Sequence, residues 1–245
     1  MNRLIGGVLV FSGLIAVKSA FSEVTPVDKP FDSEFKSFNA EFESYLLKAE
    51  VIGERLGEGS FGRVFTLPDG NVLKIVNLDD KAAIQKQNRA QANFVRDYLI
   101  KTRSGEWKES PFLPKIYHYN EGTASPKMVS LMEQEGYSSR NPLANQQVAF
   151  WVMENIPYVA DASNDWKNER VNPNEILGKG ASWEEHLNAG LKDWLREQDM
   201  GYLRPNDIHE GNYGFREPSI DSFPVYFDMS FSLQHNSKEK SPYGS

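Results

Sequence analysis

Hydrophobic and polar positions change their spacing several times along the chain. Residues 4–17 are an almost unbroken apolar run that follows Arg3 and gives way to Ser19, Ala20 and Ser22. The run is about 14 residues, shorter than the roughly 20 that a membrane-spanning helix needs. Its order of basic, apolar and small residues predicts a secretory signal peptide over 1–22, cleaved after Ser22 or after Ser19. An uncleaved anchor or a buried N-terminal helix is the alternative. A polar, Pro-containing linker follows. Phe31, Phe35, Phe38, Phe42, Tyr45 and Leu46 then recur at mostly three- and four-residue spacing. That period predicts an amphipathic helix whose aromatic stripe packs on the body of the fold, so 23–50 reads as linker and helix.

Beyond residue 50 the pattern turns to short strands. Residues 51–56 and 63–67 flank a glycine cluster, and the turn Pro68-Asp69-Gly70 leads into a β-rich stretch at 71–76. Residues 81–102 read as a helix, with Ala83, Ile84, Ala90, Phe94, Tyr98 and Leu99 as its apolar positions. Strands are expected at 112–119 and 147–154. Between them 120–147, rich in Glu, Ser, Asn, Gly and Pro, reads as a long connection. Residues 183–196 predict another helix, while 202–215 and 225–231 predict loops and strands. No stretch after the first is apolar enough to cross a membrane.

Composition removes several function classes. The chain has 245 residues, of which 40% are hydrophobic and 12% aromatic, enough for a sizeable core and unlike a disordered sequence. A net charge of −7 offers no overall attraction to nucleic acid or to an anionic membrane. The absence of cysteine excludes a disulfide scaffold, a cysteine nucleophile and thiolate metal sites. Four histidines without paired His/carboxylate spacing argue against a transition-metal site.

Four separated motifs carry candidate chemistry. Gly57-Glu58-Gly59-Ser60-Phe61-Gly62, with Val64 beyond it, is followed by a strand rather than a helix. That context fits a glycine-rich hairpin folded over phosphates, although an ordinary hairpin has the same letters. Lys74 interrupts the apolar strand Val72-Leu73-Lys74-Ile75-Val76. A buried ammonium needs an anion, for which a nucleotide phosphate is the candidate, whereas a surface lysine would snorkel. Asp207 and Asn212, five apart in Asp207-Ile208-His209-Glu210-Gly211-Asn212, can bring a carboxylate to an acceptor hydroxyl and an amide to Mg²⁺. Asp228 ends the strand Val225-Tyr226-Phe227, where it can hold Mg²⁺ or merely cap a turn.

The order of these motifs resembles the protein kinase-like fold over about residues 51–231. The resemblance implies an α+β fold with a five-stranded antiparallel N-lobe over 51–156 and a short, truncated helical C-lobe over 157–245. It implies ATP and Mg²⁺ as cofactors. By that likeness Gly57, Gly59, Ser60, Gly62 and Val64 cover the nucleotide, and Lys74 binds its phosphates. Asp207 is the catalytic aspartate, and Asn212 and Asp228 are the magnesium ligands. Glu154 to Ile156 form the hinge against adenine, with Met153 gating the space behind it; the earlier pair Met132-Glu133 lies too far from Asp207 to serve.

The chain also departs from the family. Pro205-Asn206 stand where His-Arg is usual, and Met229-Ser230 where Phe-Gly is usual. No glutamate lies between Ile75 and Gly105, so Asp97, Gln91 or Asn93 would have to replace the helix acid that pairs with Lys74. Little sequence follows Asp228, leaving no room for an activation segment or a large helical lobe. This truncation, with a secretion element, is similar to the minimal effector kinases that bacteria deliver into eukaryotic cells. It implies a secreted protein that acts in the host cytoplasm and moves the ATP γ-phosphate to a host protein hydroxyl. Members of that group act on chaperone or ubiquitin-pathway partners. No nucleic-acid partner and no stable membrane insertion after signal cleavage are expected. Two alternatives remain open: a small-molecule phosphotransferase of the aminoglycoside or choline type, and a pseudokinase that binds without transferring phosphate.

Overall fold

The structure is a computed structural model that describes residues 55–59, 62–79, 82–134, 144–160, 169–170, 183–219 and 222–233. The chain divides into the units Met1–Ser33 and Glu34–Ser245, and every described residue lies in the second. The predicted signal peptide, the linker and helix of 23–50, and Ser60 lie outside the described residues.

Five strands form one antiparallel sheet: β1 (Arg55–Gly59), β2 (Gly62–Thr66), β3 (Val72–Asn77), β4 (Ile116–Thr123) and β5 (Gln147–Met153). Their order is β1-β2-β3-β5-β4. Helix α1 (Ala82–Arg103) joins β3 to β4, and helix α2 (Pro126–Gln134) joins β4 to β5. All six residues of β3 are buried, because the sheet is covered on both faces. Val72, Lys74 and Val76 lie opposite Met153, Trp151 and Ala149 on β5, on the face against which Phe94, Val95 and Tyr98 of α1 pack. Leu73 and Ile75 point the other way with Val152 and Phe150, beneath Met128, Val129 and Met132 of α2.

Helix α2 corrects the reading of 120–147 as one long connection. The polar composition of the surrounding segment concealed two local determinants and one distant one. Pro126 occupies the first helical position, where a missing N–H costs nothing. The Ser125 Oγ accepts from the Met128 N–H at 3.1 Å, as a cap does. Arg63, buried on β2, donates through Nη1 to the Met132 carbonyl at 3.0 Å in the last turn. The preceding strand is displaced as well: it runs over Ile116–Thr123 rather than 112–119, in a register that ends with Thr123 opposite Gln147.

The second half has more sheet than expected. Strands β6 (Tyr158–Val159), β7 (Glu169–Arg170), β9 (Tyr213–Phe215) and β10 (Pro224–Tyr226) form a sheet in the order β10-β9-β6-β7. Strand β8 (Leu203–Pro205) pairs antiparallel with β11 (Phe231–Leu233). The only α-helix among its described residues is α3 (Trp183–Glu197), which buries Trp183, Leu187, Leu191, Trp194 and Leu195 along one stripe. Aromatic rings join this half to α1: Tyr98 meets Trp194 of α3 edge-on at 5.7 Å between centroids, and Phe94 meets Phe231 of β11 at 4.2 Å.

The Tyr98 hydroxyl accepts from the Ser110 N–H at 3.1 Å inside this seam. Burial pushes its pKa up to about 12 from the usual 10. The folded state therefore holds a proton that the unfolded chain releases above pH 10, so this contribution is complete below pH 10 and is lost as pH rises towards 12. About two units correspond to roughly 2–3 kcal/mol. Urea titrations at pH 9 and pH 11.5 should show a steeper loss of stability for the wild type than for Tyr98→Phe; equal losses would refute the assignment.

Candidate functional site

Lys74 sits in the middle of β3, opposite Val64 on β2 and Trp151 on β5. Its Nζ lies 2.7 Å from Asp228 Oδ1, with side-chain exposures of 7% and 10%, and 5.6 Å from the centre of the Trp151 ring. Burying an ammonium without an anion costs several kcal/mol, and Asp228, the second residue past β10, supplies that anion. The ring face adds a cation–π contact. Among the described residues Asp228 is the only anion bonded to Lys74, and the second carboxylate oxygen, Oδ2, is buried with no hydrogen-bond partner.

Of the three candidates to replace a helix acid, Gln91 is the one that reaches this pair. It is buried, and its Nε2 donates to the Asp228 main-chain carbonyl and stands 3.3 Å from Asp228 Oδ1. Asp97 instead pairs with its neighbour Arg96 at 3.1 Å. The helix thus presents a neutral donor to Asp228 and no carboxylate to Lys74.

The loops bearing Asp207 and Asp228 are fastened together. The Asn206 N–H donates to the Ser230 carbonyl at 2.8 Å, and the Tyr226 hydroxyl bonds the carbonyls of Asn206 and, at 3.1 Å, Ser230. Burial holds the Tyr226 pKa well above its ordinary value, which keeps that donor proton in place. Asp207 and the fully buried Met229 take left-handed backbone angles, φ 56° and 50°. The Met229 conformation costs on the order of 1–2 kcal/mol, met by these cross-links and by its burial.

Asp207 is exposed, with its carboxylate 3.8 Å from His209 Nε2. His209 caps a single 3₁₀ turn, Glu210–Asn212, its Nδ1 accepting from the Gly211 N–H at 3.0 Å. Asn212 Nδ2 donates to the Asp207 carbonyl at 2.9 Å and lies 2.9 Å from His209 Nε2, while its Oδ1 accepts no bond among the described residues. The Asn212 carbonyl accepts from the Phe227 N–H at 3.2 Å, which ties this loop to the residue before Asp228.

The glycine hairpin borders the same sheet. Gly57 pairs with Val64, and Gly59 with Gly62, at the end where β1 passes into β2. Gly62 has φ 149°, and a Cβ there would lie 2.3 Å from the Ile75 carbonyl, so no other residue fits. Val64 and Met153 are buried on the face that carries Lys74. The Glu154 carboxylate serves as a structural anchor, held at 2.7 and 2.8 Å by Arg216 and bonded by the Lys115 N–H. This bonding raises the Arg216 pKa further above its already high value. The Glu154 N–H donates to the Lys115 carbonyl, and its own carbonyl accepts nothing among the described residues. Ile156 is buried with Val159, Val225 and Phe227.

Sequence reasoning missed Tyr226 and Arg216. A tyrosine inside an apolar strand two residues before Asp228 was an available signal; nothing in the sequence marked Arg216. A surface depression of about 290 Å³ along α3, lined by Glu185, Asn188, Lys192 and Arg196 among others, shares no residue with this cluster.

Asp228 Oδ2 and Asn212 Oδ1 are hard oxygen donors of the kind Mg²⁺ prefers. The orphaned buried oxygen of Asp228 makes the fit more than compositional. No three His, Asp or Glu side chains converge among the described residues. Comparison with protein-family models and with curated proteins gives no match to this chain.

The buried pair has a stability consequence independent of function. Lys74→Met should cost about 3–5 kcal/mol by stranding the Asp228 carboxylate, and adding Asp228→Asn should recover part of that loss. Additive losses in urea denaturation would show that the two side chains are uncoupled.

Proposed function

We propose that the chain is an ATP-dependent protein kinase of the truncated type, transferring the γ-phosphate to a Ser or Thr hydroxyl of a eukaryotic host protein. The observation that carries this reading is the buried Lys74–Asp228 pair, which joins a strand lysine to a carboxylate far along the chain beside the Asp207–Asn212 loop. Further support comes from the five-stranded order β1-β2-β3-β5-β4 with a helix between β3 and β4, and from the glycine hairpin on the first two strands. Delivery through the N-terminal signal and action in the host cytoplasm belong to the same proposal.

In this reading Lys74 binds nucleotide phosphate, and Asp228 and Asn212 would hold Mg²⁺. The cation would neutralise phosphate charge as it shifts during transfer. The exposed Asp207 carboxylate orients the acceptor hydroxyl and takes its proton. Gly57, Gly59 and Gly62 let the hairpin backbone lie close over phosphate, and the Glu154 carbonyl with the Ile156 backbone meets the base. A pseudokinase is the second reading, favoured by the neutral Gln91 in place of an acid on α1.

The deciding measurement is transfer of labelled γ-phosphate from Mg-ATP to proteins of a eukaryotic lysate by the full chain, beside Asp207→Ala. A labelled band that falls at least about 100-fold in the variant is expected for a general-base role. Equal labelling by both proteins, or none by the wild type, rejects the kinase reading.

A further inference from the structure

Helix α1 carries three amide side chains within five residues, Gln87, Asn88 and Gln91, and each is engaged with a different piece of the site's surroundings. Gln91 Nε2 donates to the Asp228 carbonyl and approaches Asp228 Oδ1 at 3.3 Å. One turn earlier Gln87 Nε2 donates to Ser230 Oγ at 3.3 Å. Asn88 Nδ2 donates to the Asn77 carbonyl at 2.7 Å, fixing the helix to the end of β3. Residues four apart share a helix face, so Gln87 and Gln91 form a two-point contact with the segment 228–230.

We infer that this contact is a latch, in which Gln91 is a positioning residue that holds Asp228 by a neutral donor, independently of Lys74. The orientation of the Gln91 amide follows from its neighbours. Both Asp228 atoms facing it are oxygens, so the NH₂ end must face them. Its Oε1 is left buried without a partner among the described residues, a cost of about 1–3 kcal/mol borne by the fold. A carboxylate at this position would have no proton for the Asp228 carbonyl, would sit beside the Asp228 carboxylate, and would compete for Lys74. The amide avoids all three conflicts. Lys74 can therefore transfer its contact from Asp228 to an incoming anion while Asp228 stays in place, and no movement of α1 is needed to assemble the site. The latch deepens the phosphotransfer reading, and rests on it only for what Asp228 does once held.

The test compares full-length wild type, Gln91→Glu, Gln91→Met and Gln87→Ala by backbone hydrogen exchange without nucleotide, and by calorimetric binding of ADP with and without Mg²⁺. Both Gln91 variants should speed exchange in 227–231 by about tenfold while β3 amides stay within about twofold. Their affinity for metal-free ADP should hold, and the gain conferred by Mg²⁺ should fall by about tenfold. Gln87→Ala, at the edge of the contact, should speed exchange only around Ser230. Wild-type exchange in Gln91→Glu overturns the latch, since an acid would then serve equally well. If the Gln91 variants fold poorly, unchanged exchange around Ser230 in Gln87→Ala overturns it instead. Accelerated exchange in the Gln91 variants, with no Mg²⁺-dependent ADP binding by the wild type, supports the latch and removes the kinase reading.

Discussion

The buried contact between Lys74 and Asp228 is the constraint on which the rest of the site depends. An ammonium at the centre of a fully buried strand is tolerable only with an anion at hydrogen-bond distance. Asp228 therefore has to be delivered to the inner face of the five-stranded sheet from far along the chain. The short strands on either side of it serve that delivery. Strand β10 brings the chain to Phe227, and β11 returns it alongside β8. The Tyr226 hydroxyl and the Asn206 N–H then hold the returning segment against the loop that bears Asp207. The Asp207 loop and the Asp228 segment are thus linked through backbone carbonyls, a rigid means of setting distances between side chains, while Lys74 meets Asp228 directly.

Coverage of the sheet on both faces explains the environment of Lys74. Without α2 over Leu73, Ile75, Phe150 and Val152, these side chains would face water and β3 would need a polar alternation. With it, β3 is apolar at every position but Lys74 and Asn77, while on the opposite face, where α1 packs, Lys74 is left only 7% exposed. Arg63 joins the two features, since it emerges from the hairpin that borders the site and closes the last turn of α2.

Much of the fold was legible in the chain. The boundaries of α1, α3, β2, β3 and β5 fall within a residue or two of those predicted from periodicity, because each of these elements buries a regular stripe and ends at a turn residue. The elements misplaced or missed were those specified by their partners. Strand β4 takes its register from β5, and α2 lies within a segment whose flanks are loop-like and packs Met128, Val129 and Met132 on the sheet beneath it. The candidate site was partly legible too: Lys74, Asp207, Asn212 and Asp228 stood out as polar residues in positions where polarity is costly or sharply spaced. Glu154 was marked as part of a hinge, whereas the pairing of its carboxylate with Arg216 left no local trace.

By itself the sequence determined the elements and the residue types available for chemistry, since periodicity, turn residues and the energetic cost of a buried charge are local properties. It also restricted the answer to a helix without glutamate, with Asp97, Gln91 and Asn93 left as candidates. Tertiary structure alone chose among them. The choice depends on which face of α1 meets the end of β10, and only packing of the helix on the sheet decides that. It also decided that the chosen residue bonds Asp228 and not Lys74, because an amide donor is held by the oxygens that surround it and these come together only when distant strands pair.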